Sequence, residues 1–126
     1  MGFSEEEIES LNSIRSGDPI RQHQKVPGSP DPVDVVYTTR WHSMSEARRE
    51  QDWLARFEGF AVTKEMMLRF SGSRAAVFMH DLPAVRGQEV DSEVLDGTSA
   101  ISLAQSQIRH KESAAASALL WTTGRY

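Results

Sequence analysis

The sequence predicts an α/β fold with a mostly parallel sheet of the doubly wound type, flanked by helices. Three observations point there. Residues 33–39 and 75–79 are β-branched, apolar or aromatic runs with the length of buried strands. The segment between them ends in a stretch with helical spacing, and strand–helix alternation favours parallel pairing. In such sheets ligands sit beyond the carboxyl ends of the strands, so the loops after Thr39 and Met79 are the places to look for chemistry.

The elements follow in order. Ser4 and Glu7 have the spacing of a capping box, in which each side chain satisfies the other residue's backbone N–H. Ile8, Leu11 and Ile14 then share one helical face, and Gly17 ends the pattern. Residues 17–33 hold Gly17, Pro19, Pro27, Gly28, Pro30 and Pro32, which exclude regular structure and predict a loop. The strand at 33–39 comes next. Residues 43–57 are polar and read as a loop leading into a short helix, with Trp53 and Phe57 as core anchors. Thr63 caps another helix with Met66, Met67 and Phe70 on its apolar side, and Ser71-Gly72-Ser73 breaks it. After the strand at 75–79, Asp91 caps a single helical turn around Val94 and Leu95 that ends at Gly97. Residues 100–103 read as a short third strand, and the Ala-rich stretch from about 105 to 121 as a strong helix. The result is a partial doubly wound, Rossmann-like sheet at 33–126, preceded at 1–32 by a helix and a Pro/Gly-rich loop.

Composition narrows the function classes. The chain has 126 residues, 39% hydrophobic and 25% charged, which is ordinary for one globular domain. A net charge of −4, with no basic cluster, argues against nucleic acid or a membrane surface as partner. Without cysteine there is neither a disulfide framework nor a thiolate metal site, and no metal or cofactor motif is present. No apolar run approaches the ~20 residues needed to span a bilayer, and the acidic start is unlike a signal peptide. A cytoplasmic protein is the expectation.

The stretch Phe78-Met79-His80-Asp81-Leu82-Pro83-Ala84-Val85-Arg86-Gly87-Gln88-Glu89-Val90 resembles the signature of the ornithine/aspartate carbamoyltransferase family, closest to its ornithine branch, where His-Cys-Leu-Pro precedes Ala-x-Arg-Gly-x-Glu-Val. Residues 91–97 continue that pattern. Asp34-Val35-Val36-Tyr37-Thr38 is similar to the strand before the family's acceptor-binding loop, and Ser43-Met44 to that loop's Ser-Met-Gly. Gln107-Ile108-Arg109-His110 falls where the family has Asn-Arg-Leu-His. The resemblance spans about residues 33–121.

The resemblance implies transfer of a carbamoyl group from carbamoyl phosphate to an amino acid, with this chain as the amino-acid-binding half. It implies a backbone carbonyl at Leu82, before Pro83, that accepts from the carbamoyl NH₂. It implies that Arg109 reaches the carbamoyl oxygen, where a cation stabilises the oxyanion of a tetrahedral intermediate. Ser43 and Met44 would close over the acceptor, with His80 and His42 beside it. The family works as oligomers, so a homo- or hetero-oligomer is expected.

Three departures qualify this. Asp81 stands where the ornithine enzymes have Cys, and Thr39 where they have Asp. A carboxylate at Asp81 can bind an ammonium, and can take the proton that the attacking amine loses. Thr39-Arg40-Trp41-His42 is instead similar to the aspartate branch's Thr-Arg-x-Gln, in which the Arg grips the acceptor's carboxylate. The family's phosphate-binding motifs, Ser-x-Arg-Thr-Arg and His-Pro-x-Gln, occur nowhere in these residues. The expectation is a truncated acceptor-binding domain, inactive alone; the alternatives are a module that associates with a full-length carbamoyltransferase and an enzyme assembled from split genes. Blander readings stand beside the sharp ones. His80 suits a structural role, Asp81 a turn cap, Arg40 and Arg109 solvated charges, and Arg86 with Glu89 a loop-fixing ion pair.

Overall fold

A computed structural model describes residues 2–41, 54–98 and 101–124. The described elements are α1 (Glu5–Ser13), β1 (Val35–Thr38), a 3₁₀ turn (Glu58–Phe60), α2 (Lys64–Phe70), β2 (Val77–His80), α3 (Ser92–Leu95) and α4 (Ala104–Thr122). β1 and β2 pair in parallel, with Val35 opposite Val77 and Thr38 opposite His80. The fold is therefore α/β with a small parallel sheet flanked by helices, as the strand–helix alternation requires.

The sheet has one packed face. Strand side chains alternate between faces. Val36 and Thr38 on β1 share a face with Phe78 and His80 on β2, and the last two are fully buried. Val35 and Tyr37 point the other way and are 45% and 55% exposed. The expectation of a buried first strand is thus corrected: only alternate residues of β1 turn inward, and no second strand pairs with its outer edge among the described residues. The core lies on the packed face. Val62, Met67, Ala76, Phe78, Val90, Val94, Leu95 and Ala104 form it, with Val33, Val36, Met66 and Leu82 at its margin.

The third strand is also corrected. Residues 101–103 flank β2 through a single parallel bridge, Phe78 to Ser102, with Phe78 N donating to Ile101 O and Leu103 N to Phe78 O. α4 begins at Ala104, so the chain coils before a second rung can form.

Two of the three predicted side-chain caps form, those of Ser4 and Thr63. Ser4 N donates to Glu7 Oε2 at 2.7 Å and Glu7 N to Ser4 Oγ at 3.3 Å, a complete capping box. Ser4 holds the Glu7 carboxyl below the ordinary glutamate range, first through its backbone N–H and then through its hydroxyl. Thr63 accepts from Met66 N at 3.1 Å. Asp91 occupies the N-cap of α3, but its side chain makes no capping bond; Val94 N and Leu95 N donate to its backbone carbonyl instead. The loop at 17–33 has no regular element, as its prolines dictate. It is pinned at both ends. Ile20 N donates to Asn12 Oδ1 at 2.6 Å, and Val33 N to Phe70 O at 2.8 Å. Gly72 closes that second junction, since a Cβ there would meet Pro32 Cβ at 2.8 Å.

Phe57 stacks on Trp41 with ring centroids 5.5 Å apart, while Trp53 lies outside the described residues. No described helix is long and apolar enough to cross a membrane.

Candidate functional site

The carboxyl ends of β1 and β2 lie side by side, and the residues that follow them meet. Thr39 Oγ1 donates to Asp81 Oδ2 at 3.0 Å. The two positions at which the sequence departs from the ornithine pattern are thus in contact. Asp81 is half-exposed, with its other oxygen 3.4 Å from His80 Nδ1. Arg40 follows Thr39 directly and is half-buried. Among the described residues four buried side-chain atoms lack a hydrogen-bond partner: Arg40 Nε, Asp81 Oδ1, His80 Nε2 and Glu89 Oε2. All belong to this end of the sheet or to the layer under it. Unpartnered buried polar atoms are costly, and each calls for an explanation such as a bound water, a ligand or a catalytic role.

His80 is the base of the site. It is fully buried, so it faces the protein and not a ligand. Its backbone N–H donates to Gln107 Oε1 at 2.9 Å, and its Nδ1 accepts from Leu82 N at 2.7 Å. Its Nε2 is 3.6 Å from Glu89 Oε1, on a carboxylate that is itself fully buried. Leu82 has a φ of 49°, in the left-handed region that leucine seldom adopts, and its bond to Pro83 is cis. Pro83 is exposed at the surface of this turn.

Helix α4 supplies the third wall. Gln107 and Lys111 are one turn apart on the same face. Lys111 Nζ donates to the backbone carbonyl of Asp81. Arg109 is not on that face. It is two residues on from Gln107, which at about 100° per residue puts it about 200° round the helix, and it is exposed. The structure therefore brings Thr39, Arg40, His80, Asp81 and Leu82 together with Gln107 and Lys111, and leaves Arg109 apart. His42, Ser43 and Met44 lie outside the described residues.

The expected Arg86–Glu89 ion pair is corrected. Arg86 pairs with Asp96, with Nη2 to Oδ1 at 2.6 Å and Nε to Oδ2 at 3.1 Å, a two-point fork. That pair holds the Asp96 carboxyl below the usual aspartate range, the hydrogen bond from Arg86 being the main cause. Glu89 turns inward instead, and its Oε1 accepts from Val85 N at 2.5 Å. Beside the site, Trp41, Leu54, Ala61 and Gly87 line a cleft of about 240 Å³. Among the described residues no group of His, Cys, Asp and Glu could hold a metal ion.

Comparison with known proteins identifies the family. Residues 4–123 match the family model for the aspartate/ornithine carbamoyltransferase Asp/Orn binding domain. An ornithine carbamoyltransferase of Caldicellulosiruptor saccharolyticus is 45% identical over 65 residues, 52% of this chain and 20% of the relative. That of Methanothermobacter thermautotrophicus is 42% identical over 77 residues, 61% of this chain and 25% of the relative. Among solved structures, the anabolic ornithine carbamoyltransferase of Campylobacter jejuni superposes with a TM-score of 0.50 at 33% identity, over 56% of this chain and 23% of that one. The Pyrococcus furiosus enzyme gives 0.51 at 32% identity, over 61% and 23%. The chain spans a fifth to a quarter of the length of these relatives.

Proposed function

Because the chain belongs to the aspartate/ornithine carbamoyltransferase family, by its match to the Asp/Orn binding domain, we propose that it is an acceptor-binding unit for an amino acid in carbamoyl transfer. The observation that carries this is the Thr39–Asp81 contact beside Arg40, at the carboxyl ends of two parallel strands. Arg40 grips the acceptor's carboxylate with its guanidinium, and Asp81 takes the ammonium. The acceptor amine attacks the carbamoyl carbon after losing a proton, which the Asp81 carboxylate receives, and phosphate leaves with the C–O bond pair as the C–N bond is made. The Leu82 carbonyl takes the carbamoyl NH₂. Lys111, through its place on the Asp81 carbonyl, brings a cation to the site that Arg109 does not supply.

Neither phosphate-binding motif of the family occurs in these residues, so transfer requires a donor half from another polypeptide segment. A second reading, association with a full-length carbamoyltransferase, is favoured by the exposed Tyr37 and by Trp121 at 74% exposure near the end of α4. The test is calorimetric titration of the chain with ornithine, aspartate, lysine and putrescine, alongside an assay for transfer from labelled carbamoyl phosphate. Binding of an α-amino acid without transfer is expected. Binding of putrescine, which has no carboxylate, as tightly as ornithine would remove the Arg40 assignment. Transfer by the chain alone would overturn the need for a donor half.

A further inference from the structure

The buried His80–Glu89 pair is not explained by ligand binding, since neither side chain reaches solvent. From its geometry we infer that Glu89 is a positioning residue: it favours one tautomer of the His80 ring, and His80 in turn sets the direction of the 81–82 peptide. The inference rests on the acceptor-site reading above and deepens it.

Leu82 N–H donates to His80 Nδ1 at 2.7 Å, so Nδ1 carries a lone pair and no proton, and Asp81 Oδ1, 3.4 Å from Nδ1, makes no hydrogen bond with it. The ring proton then sits on Nε2, and Nε2 faces Glu89 Oε1 at 3.6 Å. Among the described residues neither Nε2 nor Glu89 Oε2 has a hydrogen-bond partner, so the carboxylate acts on the ring by its charge at 3.6 Å. Among those residues it is the group placed to favour that tautomer, as the second nitrogen's partner commonly does for a working imidazole. Glu89 is itself held: its Oε1 accepts from Val85 N at 2.5 Å, and its carbonyl accepts from Val62 N at 2.9 Å.

The consequence reaches the site through the peptide plane. In a trans peptide, the carbonyl of one residue and the N–H of the next point in opposite directions. Leu82–Pro83 is the cis bond here, so the 81–82 peptide is trans. Drawing the Leu82 N–H inward onto His80 turns the Asp81 carbonyl outward, and Lys111 Nζ donates to that carbonyl. Gln107, one turn before Lys111, fastens the same turn from the other side through His80 N. The buried pair thus aims the Asp81 backbone carbonyl, which accepts from Lys111 at the end of β2.

The test is nitrogen NMR of the His80 ring with hydrogen exchange at Leu82 N–H, in the full chain and in Glu89→Gln. The wild-type chain should show a neutral ring protonated at Nε2 and a Leu82 amide protected about as well as Val77 N–H. Glu89→Gln should shift the ring signals away from that single tautomer and speed Leu82 exchange at least tenfold, while Phe78 N–H keeps its protection. A wild-type ring protonated at Nδ1 overturns the inference, and this arm stands even if the variant fails to fold. A folded Glu89→Gln chain with unchanged ring signals and Leu82 exchange overturns it as well. Neither readout uses acceptor binding, so failure of the acceptor reading leaves a separate signature.

Discussion

If Thr39 and Asp81 form one acceptor contact, removing either should largely remove what the other contributes. Thr39→Val keeps the shape and deletes the hydroxyl that donates to Asp81 Oδ2 at 3.0 Å. A hydrogen bond to a charged group contributes ~1.5–3 kcal/mol when shielded. Here the Asp81 side chain is 46% exposed, and water competes. About 1 kcal/mol is the appropriate figure, which is about fivefold in affinity. The assay is a double-mutant cycle on the dissociation constant of the tightest-binding amino acid, using Thr39→Val, Asp81→Ala and the pair. Residues in contact couple by ~0.5–3 kcal/mol, and about 1 kcal/mol is expected here. Thr39→Val should be nearly silent in the Asp81→Ala background. Losses that add to within ~0.3 kcal/mol would refute the reasoning, because they would mean that Thr39 and Asp81 act on the ligand independently.

Two further outcomes follow from the same geometry. Lys111→Ala should weaken acceptor binding severalfold, while Arg109→Ala should leave it within about twofold, because only Lys111 shares the Gln107 face of α4; the reverse order in calorimetric titration would restore the cation to Arg109. On acidification from about pH 6 to about pH 3, α1 should lose helicity. The Glu7 carboxyl is held below its unfolded value, so its contribution is complete above that value and is lost as pH falls through the folded one. Glu7→Gln keeps the capping spacing without the titration and should flatten the circular-dichroism profile, and superimposable profiles would show that the box carries no pH dependence.

Local chemistry was legible where it involved neighbours in sequence. Ser4 with Glu7, Thr63 with Met66, and the β-branched runs each announce themselves within a few residues. So did the two loops beyond the strand ends, because parallel sheets put ligands there whatever the ligand. Other pairings were not legible. Arg86 reaches Asp96 rather than Glu89, because Glu89 turns inward, where its carboxylate accepts from Val85 N. The sequence singled out Glu89, but as a loop-fixing partner for Arg86, and only the fold shows that it lies beneath His80. Lys111 had a weak signal in its four-residue spacing from Gln107, which the choice of Arg109, one position beyond the Arg of the family's Asn-Arg-Leu-His, obscured.

The distribution of charge then explains why Asp81 is tolerable at a position the ornithine branch gives to Cys. A carboxylate beside a fully buried imidazole would be costly if it had no donors. Thr39, at the other departing position, supplies one, and the Asp81 main chain anchors Lys111 close by. An Asp at position 39 would instead set two carboxylates against each other, with one or both driven to protonate. The Thr39 hydroxyl and the Asp81 carboxylate are therefore compatible neighbours, where two carboxylates at these positions would not be. If Arg40 and Asp81 hold the acceptor as proposed, it lies across the two strand ends, and the separation between its carboxylate and its amine becomes the selected property.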